Sequence, residues 1–292
     1  MFSLKYSIMK KKTLIIQGGG FRTAFSAGVI DAFLAFKYNP FDAYFAVSGG
    51  AIALSYYMSE QYGSCFEATK YLATEKEFMS YNRLLKRKVL MDLNYFNVVS
   101  EKKVPFDVKK AMQNSEGKEV SIVVTGIDSG KAKYFQPNKQ NWMDAVIASC
   151  TLPFVTKGKH LLNGKEYMDG GWSDALPVQK AVESGSTDVV IIRTSPKDLK
   201  VSQSWPDYFG AYAYRSNSNL QTCFENNHKR YNDSIDYINT LDSKIKIEQI
   251  APEVPLLTGT YSNSIEVLTK DYRHGVQLGL DFMYKNIELS IK

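Results

Sequence analysis

Ser48 is the residue best placed by its neighbours to attack a carbonyl carbon. It stands in Ala46-Val47-Ser48-Gly49-Gly50, between the apolar run 43–47 and the apolar stretch 51–58. A serine at a strand-to-helix turn with glycines behind it is a nucleophile elbow, in which the tight turn lifts Oγ above the sheet at the positive end of a helix. The G-x-S-x-G pattern lacks its first glycine, replaced by Ala46 and so by a single added methyl group. The same residues also spell a serine N-cap in a glycine loop, which needs no chemistry.

Gly18-Gly19-Gly20-Phe21-Arg22 closes a first apolar run, 13–17, and opens a helical stretch. Unpaired N–H groups and a helix N-terminus at such a turn favour an anion. That anion could be the oxyanion of an acyl-transfer intermediate or the pyrophosphate of a dinucleotide. The dinucleotide fingerprint wants a third glycine where this chain has Thr23, although Asp42 lies at the spacing of a ribose-binding acid. A tight turn alone is a further reading. Met168-Asp169-Gly170-Gly171 supplies a carboxylate, with glycines that let another backbone come close; by itself Asp-Gly-Gly is also an ordinary turn. The histidines are His160, His228 and His274, none within a motif. A carboxylate that alone orients and deprotonates the serine is therefore the economical arrangement, a dyad rather than a Ser-His-Asp triad.

The elements that must position these residues follow from the hydrophobic pattern. Runs 13–17 and 43–47 read as buried strands, each leading through glycines into an apolar helix, 24–36 and 51–58. Helices are expected at 64–79 and 83–92, then strands 120–125 and 132–135 around Asp128-Ser129-Gly130 and a short helix, 143–149. Asn163-Gly164 between 160–162 and 166–168 is a hairpin signal, and a helix at 177–183 capped by Gly185 precedes a strand at 188–193. Strands alternating with helices predict an α/β fold, a three-layer α/β/α sandwich with a mostly parallel central sheet. Past residue 196 the composition turns to Tyr, Asn, Ser and Gln. A polar helix at 220–241, a strand at 245–250 and a last helix at 265–286 are predicted there. The expected division is a domain at 13–195 with an α-rich C-terminal extension, 196–292, packed on it.

With 292 residues, 44% hydrophobic and 23% charged, the chain is neither collagen, long coiled coil nor wholesale disorder. No apolar stretch reaches the ~20 residues of a membrane span. The lysines of the N-terminal segment follow a mixed run, the reverse of a signal peptide. Cys65, Cys150 and Cys223 are odd in number and dispersed, so neither a disulfide framework nor a zinc site is indicated. The expectation is a cytoplasmic protein without metal or cofactor. The net charge of +6 is spread along the chain and serves solubility, and no recognised nucleic-acid motif accompanies it. Its densest part, with Arg83, Lys86, Arg87, Lys88, Lys102, Lys103, Lys109 and Lys110 among leucines and aromatics, reads as a solvated helix face or as a cap resting on anionic lipid.

Taken in order, Gly18-Gly19-Gly20-Phe21-Arg22, Ala46-Val47-Ser48-Gly49-Gly50 and Asp169-Gly170-Gly171 resemble the patatin-like phospholipase family, acyl hydrolases that use a Ser-Asp dyad. Ala148-Ser149-Cys150-Thr151-Leu152-Pro153-Phe154 is similar to the family's A-S-x-x-x-P segment, and the resemblance covers about residues 13 to 195. It implies Ser48 as nucleophile, Asp169 as general base, and backbone N–H groups of Gly18, Gly19, Gly20 and Gly49 as the oxyanion hole. It also implies a place for Arg22 near a substrate phosphate, a phospholipid or lysophospholipid substrate, and contact with the membrane periphery. Ala46 and Thr23 depart from the family pattern. A catalytically weak or inactive lipid- or acyl-binding protein on the same fold is the alternative that Ala46 motivates.

Overall fold

The computed structural model describes residues 10–80, 82, 89–261 and 264–291, without the side chains of 287–291. Its first half runs β1 (Lys11–Ile16), α1 (Thr23–Ala35), β2 (Ala43–Val47), α2 (Gly49–Met58), α3 (Ser64–Thr74), α4 (Tyr95–Val98), α5 (Val108–Ser115), β3 (Glu119–Gly126), β4 (Ala132–Phe135) and α6 (Trp142–Ser149). Its second half runs β5 (His160–Leu162), β6 (Lys165–Asp169), α7 (Gly171–Asp174), α8 (Val178–Glu183), β7 (Ser186–Ile192), α9 (Trp205–Ala213), α10 (Ser218–Glu225), α11 (Asn227–Thr240), β8 (Lys246–Ile250) and α12 (Ile265–Ile291).

The strands form one mixed sheet in the order β5-β6-β3-β2-β1-β7-β8, with β4 paired to β3. The pairs from β3 through β2, β1 and β7 to β8 are parallel, and β4, β5 and β6 are antiparallel to their neighbours. Period-2 alternation sorts the strand residues onto two faces. Leu14, Ile16, Tyr44, Ala46, Val190 and Ile192 join one core with α1, α2, α3, α6 and α12. Ile15, Ala43, Phe45, Val189 and Ile191 join the other, under α8 and α11. Three layers result, as the alternation of strands and helices predicts.

The register creates the meeting point on which the site depends. β4 pairs with residues 122–125 of β3, whereas β2 pairs with 119–123 and β6 with 124–126. A strand has two edges, so β2 and β6 must share the edge opposite β4, end to end. β2 finishes at Val47 beside Val123, and β6, running the other way, finishes at Asp169 beside Val124. Chain directions alone therefore bring the residue after β2, Ser48, up to Asp169.

The C-terminal region is built into the same sheet. β8 pairs in parallel with β7, and α12 lies along α1. The two helices cross where Gly28 faces the backbone of Tyr272 and Gly275 faces that of Phe25, so closely that a Cβ at either glycine would collide with a carbonyl oxygen. Asp31 of α1 then accepts hydrogen bonds from the Tyr272 hydroxyl at 2.8 Å and the Gly63 N–H at 2.9 Å.

Three helix expectations differ from the structure. α3 stops at Thr74 because Glu75 turns extended, so 75–79 is not helical. Of the helix expected at 83–92, residues 83–88, with Arg83, Lys86, Arg87 and Lys88, lie outside the described residues, and Met91 forms an isolated bridge with Met79 instead. The helix expected at 220–241 is two, α10 and α11, broken at Asn226, whose φ of −107° and ψ of 9° serve as the C-cap of one and the N-cap of the next.

Candidate active site

Ser48 takes φ 51° and ψ −128°, a conformation that side chains rarely adopt and that costs about 1–3 kcal/mol. Its neighbours hold it there. Its N–H donates to Ser149 Oγ at 2.8 Å, Ser149 Oγ donates onward to the Val123 carbonyl at 2.7 Å, and its own carbonyl accepts the Ala51 N–H at 2.8 Å. Ser149 is fully buried at the end of α6. Two residues on, the Thr151 carbonyl accepts the Asp169 N–H at 2.8 Å. The segment around Ser149 thus fastens both halves of the meeting point, one through a hydroxyl and one through a carbonyl.

Asp169 is 4% exposed. Burial pushes its carboxyl up to about 7, against the opposing pull of hydrogen bonds from the Ser48 hydroxyl and the Gly171 N–H. The Gly171 bond, to Oδ1 at 2.7 Å, fixes the carboxylate plane, and Thr125 Oγ1 donates to the Asp169 carbonyl at 2.7 Å. Gly170 lies against the Val123 carbonyl with no room for a Cβ. Cys150 stands beside both residues, and burial, then the Asp169 charge, push its thiol well above its usual range.

The glycine loop closes the third side. The Gln17 N–H donates to the Ile192 carbonyl at 3.0 Å and Thr194 Oγ1 donates to the Gly18 carbonyl, tying the loop to the end of β7. Gly20 has φ +59° and nestles against Thr260, whose carbonyl accepts the Phe21 N–H at 3.3 Å. Among the described residues, the N–H groups of Gly18, Gly19, Gly20 and Gly49 have no acceptor. Arg22 donates Nε to the Gly19 carbonyl at 3.2 Å, and burial lowers its pKa. Thr23, at the place of the missing glycine, donates Oγ1 to the Gly20 carbonyl at 2.7 Å.

Ser48 lies where two lobes of a cavity meet. The larger lobe, about 280 Å³, is the more polar of the two, lined by the glycine loop, Asp169, Arg22, Ser195, Asn227 and Tyr231 together with apolar residues such as Leu152 and Leu199. An apolar lobe of about 60 Å³ is lined by Ile52, Leu72, Phe78, Met91, Phe96 and Tyr261, and a smaller void beyond it reaches Phe106 and Val146. Such a division suits a molecule with a polar head and a hydrocarbon chain, with a scissile bond between them. None of the three histidines lines either lobe: His160 faces Asp144 at 3.4 Å, and His274 packs edge-on against Phe25. Among the described residues there is no group of three or more His, Cys, Asp or Glu that could hold a metal ion.

The structure brings together every residue singled out from the three motifs: Ser48, Asp169, Gly18, Gly19, Gly20, Gly49 and Arg22. Ser195, Asn227, Tyr231 and Thr260 were not found from the sequence, because they come from separate segments and none sits in a motif. One signal was present: Arg193, an arginine ending the apolar run 188–193.

An α/β sandwich with a glycine turn, an elbow serine and an Asp-Gly-Gly turn around one two-lobed cavity belongs with the lipid acyl hydrolases. The model of the patatin-like phospholipase family matches residues 14–182, and the chain belongs to that family. A domain of unknown function matches residues 217–289. The uncharacterized protein YjjU of Escherichia coli (strain K12) is 31% identical over 274 residues, covering 92% of this chain and 76% of YjjU. The crystal structure of VipD from Legionella pneumophila is similar with a TM-score of 0.45 and 12% identity, over 94% of this chain and 67% of that one.

Proposed function

We propose that this protein hydrolyses a carboxylic ester of a phospholipid or lysophospholipid through a Ser48–Asp169 dyad. The observation that carries the proposal is the strained Ser48 set against a buried carboxyl with a raised pKa, at the junction of a polar and an apolar lobe. The start of the acyl chain enters the apolar lobe and the head group occupies the polar one. Asp169 takes the hydroxyl proton as Ser48 Oγ attacks the ester carbonyl. The N–H groups of Gly18, Gly19, Gly20 and Gly49 receive the oxyanion. Collapse of the intermediate expels the alcohol, which takes the proton back from Asp169 and leaves an acyl-Ser48. Water, deprotonated by Asp169, then attacks the acyl-enzyme; the bond to Ser48 Oγ breaks, Oγ takes the proton back from Asp169, and the fatty acid is released. The region from 196 onward acts as part of this machinery, since Asn227, Tyr231 and Thr260 line the polar lobe.

The test is release of fatty acid from a panel of phospholipids, lysophospholipids and monoacylglycerols by wild type and Ser48→Ala. Turnover of at least one phosphate-bearing lipid that the variant loses supports the proposal. Hydrolysis that survives in Ser48→Ala refutes it.

A further inference from the structure

We infer that Ser195 and Tyr231, with Arg193 behind them, complete an anion subsite in the polar lobe for the phosphate of the substrate's head group, beside the Arg22 that the family resemblance already places there; this rests on the acyl-hydrolase proposal above. Arg193 is fully buried, yet every group its guanidinium meets is neutral. Nη1 donates to the Lys197 carbonyl and to Gln249 Oε1 at 2.9 Å, and Nη2 donates to the Tyr231 hydroxyl at 2.8 Å and Ser195 Oγ at 3.4 Å. Its Nε has no partner among the described residues. A buried charge without a counter-charge is costly, and an anion one hydrogen bond away offsets that cost. Tyr231 and Ser195 provide that single bond, since both contact Arg193 and both line the lobe.

Because the Tyr231 oxygen accepts from Arg193, its own proton points elsewhere, to Ser195 Oγ at 2.8 Å or to an acceptor in the lobe. Arg22 commits Nε to Gly19, and its Nη groups have no acceptor among the described residues. Neither arginine forms an ion pair there. Asp169 is the one carboxylate among the residues lining the lobe, and its proton affinity is already high. Several donors backed by two guanidinium groups suit a phosphate with several oxygens.

The experiment compares kcat/KM for a lysophospholipid and for a monoacylglycerol of the same chain, in wild type, Tyr231→Phe and Arg22→Gln. Wild type is expected to prefer the phosphate, and each substitution to cut that preference roughly tenfold or more. An unchanged ratio overturns the subsite. Binding to Ser48→Ala, which needs no turnover, separates the sources. Glycerol 3-phosphate bound more tightly than inorganic phosphate, with the difference reduced in Tyr231→Phe, supports the head group. Inorganic phosphate bound equally well assigns the site to free phosphate and overturns the head-group assignment. Absence of hydrolysis on every lipid, with phosphate binding intact, is a failure of the hydrolase proposal and not of the subsite.

Helix α9 is turned inside out. Trp205, Tyr208, Phe209 and Tyr212 recur at i, i+3, i+4 and i+7 and are 76%, 55%, 60% and 67% exposed. Its charged residue, Asp207, is buried and accepts from Ser204 and Asn227, while Gly210 packs on the Phe224 ring. We infer that this aromatic face rests in the interfacial region of a lipid bilayer. Trp and Tyr favour that region, being apolar with one polar atom. The face offers on the order of 500 Å², short of the ~800 Å² per partner that a stable dimer takes. Arg215 stacks on Tyr212 with its guanidinium 4.4 Å from the ring centre, adding a cation at the rim. Leu199 and Val201, exposed just before the helix, also line the polar lobe, so a bilayer under α9 lies at the mouth of the site.

The test uses Ser48→Ala protein and vesicles of phosphatidylcholine with and without phosphatidylglycerol. Co-sedimentation and a blue shift of tryptophan emission are expected, with partitioning at least about tenfold weaker after Trp205→Ala with Phe209→Ala. Circular dichroism melting checks that the double variant is folded. Undiminished co-sedimentation of that variant overturns the inference. So does a concentration-dependent dimer in sedimentation velocity that only the double variant loses, which assigns the face to a second copy of the chain.

Discussion

Replacing Asp169 by Asn is expected to weaken the chemistry and strengthen the fold. Burial lifts the carboxyl from its ordinary 3.8 to about 7. A folded-state pKa above the unfolded one means that the folded chain holds this proton more tightly than the unfolded chain does. Whatever stability the neutral acid contributes is complete below pH 3.8 and is lost as pH rises through 7. A shift near three pH units at ~1.4 kcal/mol each sets a ceiling of roughly 4 kcal/mol on that loss. Asn has the same outline, keeps Oδ1 for the Gly171 N–H, and never ionises. Denaturant unfolding at pH 4, 6 and 8 should therefore show the variant gaining on wild type as pH rises, with the largest difference at pH 8. Over the same range, wild-type phosphonylation of Ser48 by a fluorophosphonate, with loss of fluoride, should quicken, because Asp169 passes from mostly protonated to mostly ionised. The variant should be at least ~100-fold slower and flat with pH. A variant that is less stable at pH 8 than wild type, or wild-type labelling indifferent to pH between 6 and 8, would refute the reasoning.

Ser149→Ala removes the hydroxyl between the Ser48 N–H and the Val123 carbonyl, so a loss of about 1–3 kcal/mol in urea unfolding, together with slower labelling of Ser48, is expected. Ala46→Gly takes a methyl from a fully buried position on β2, and the expected result is about 1 kcal/mol lower stability with a labelling rate within about threefold of wild type. Gly275→Val forces α12 away from the Phe25 carbonyl on α1, so the midpoint of thermal unfolding should fall by several degrees, at least ~1–3 kcal/mol, and protease should cut earlier near the C-terminus than in wild type.

The centre was legible in the sequence because its parts are local. Each strand, glycine turn and following helix occupies a few consecutive residues, and apolar runs of five mark where they begin. The Asn163-Gly164 turn, with φ of 48° and 76°, set the hairpin that carries Asp169. Ser149 could be matched to a motif, but its task could not be read, since that depends on the ends of β2, β3 and β6 meeting. The polar lobe was illegible for a similar reason: Ser195 and Tyr231 are 36 residues apart and meet over Arg193 only in the fold. α9 was hidden by composition, because an exposed aromatic face reverses the usual amphipathic pattern. Its start was nevertheless signalled by Ser204-Trp205-Pro206-Asp207, a capping box with proline in the first turn. The crossing of α1 and α12 escaped notice because Gly28 and Gly275 stand inside helical runs, where glycine ordinarily counts against a helix.

The most direct measurement is intact mass after incubation with a fluorophosphonate, on wild type, Ser48→Ala and Asp169→Asn, with peptide mapping of the adduct. A single adduct on Ser48, absent from Ser48→Ala and much slower in Asp169→Asn, is the predicted result. No adduct under conditions that label a known serine hydrolase, or one that persists in Ser48→Ala, would contradict the dyad.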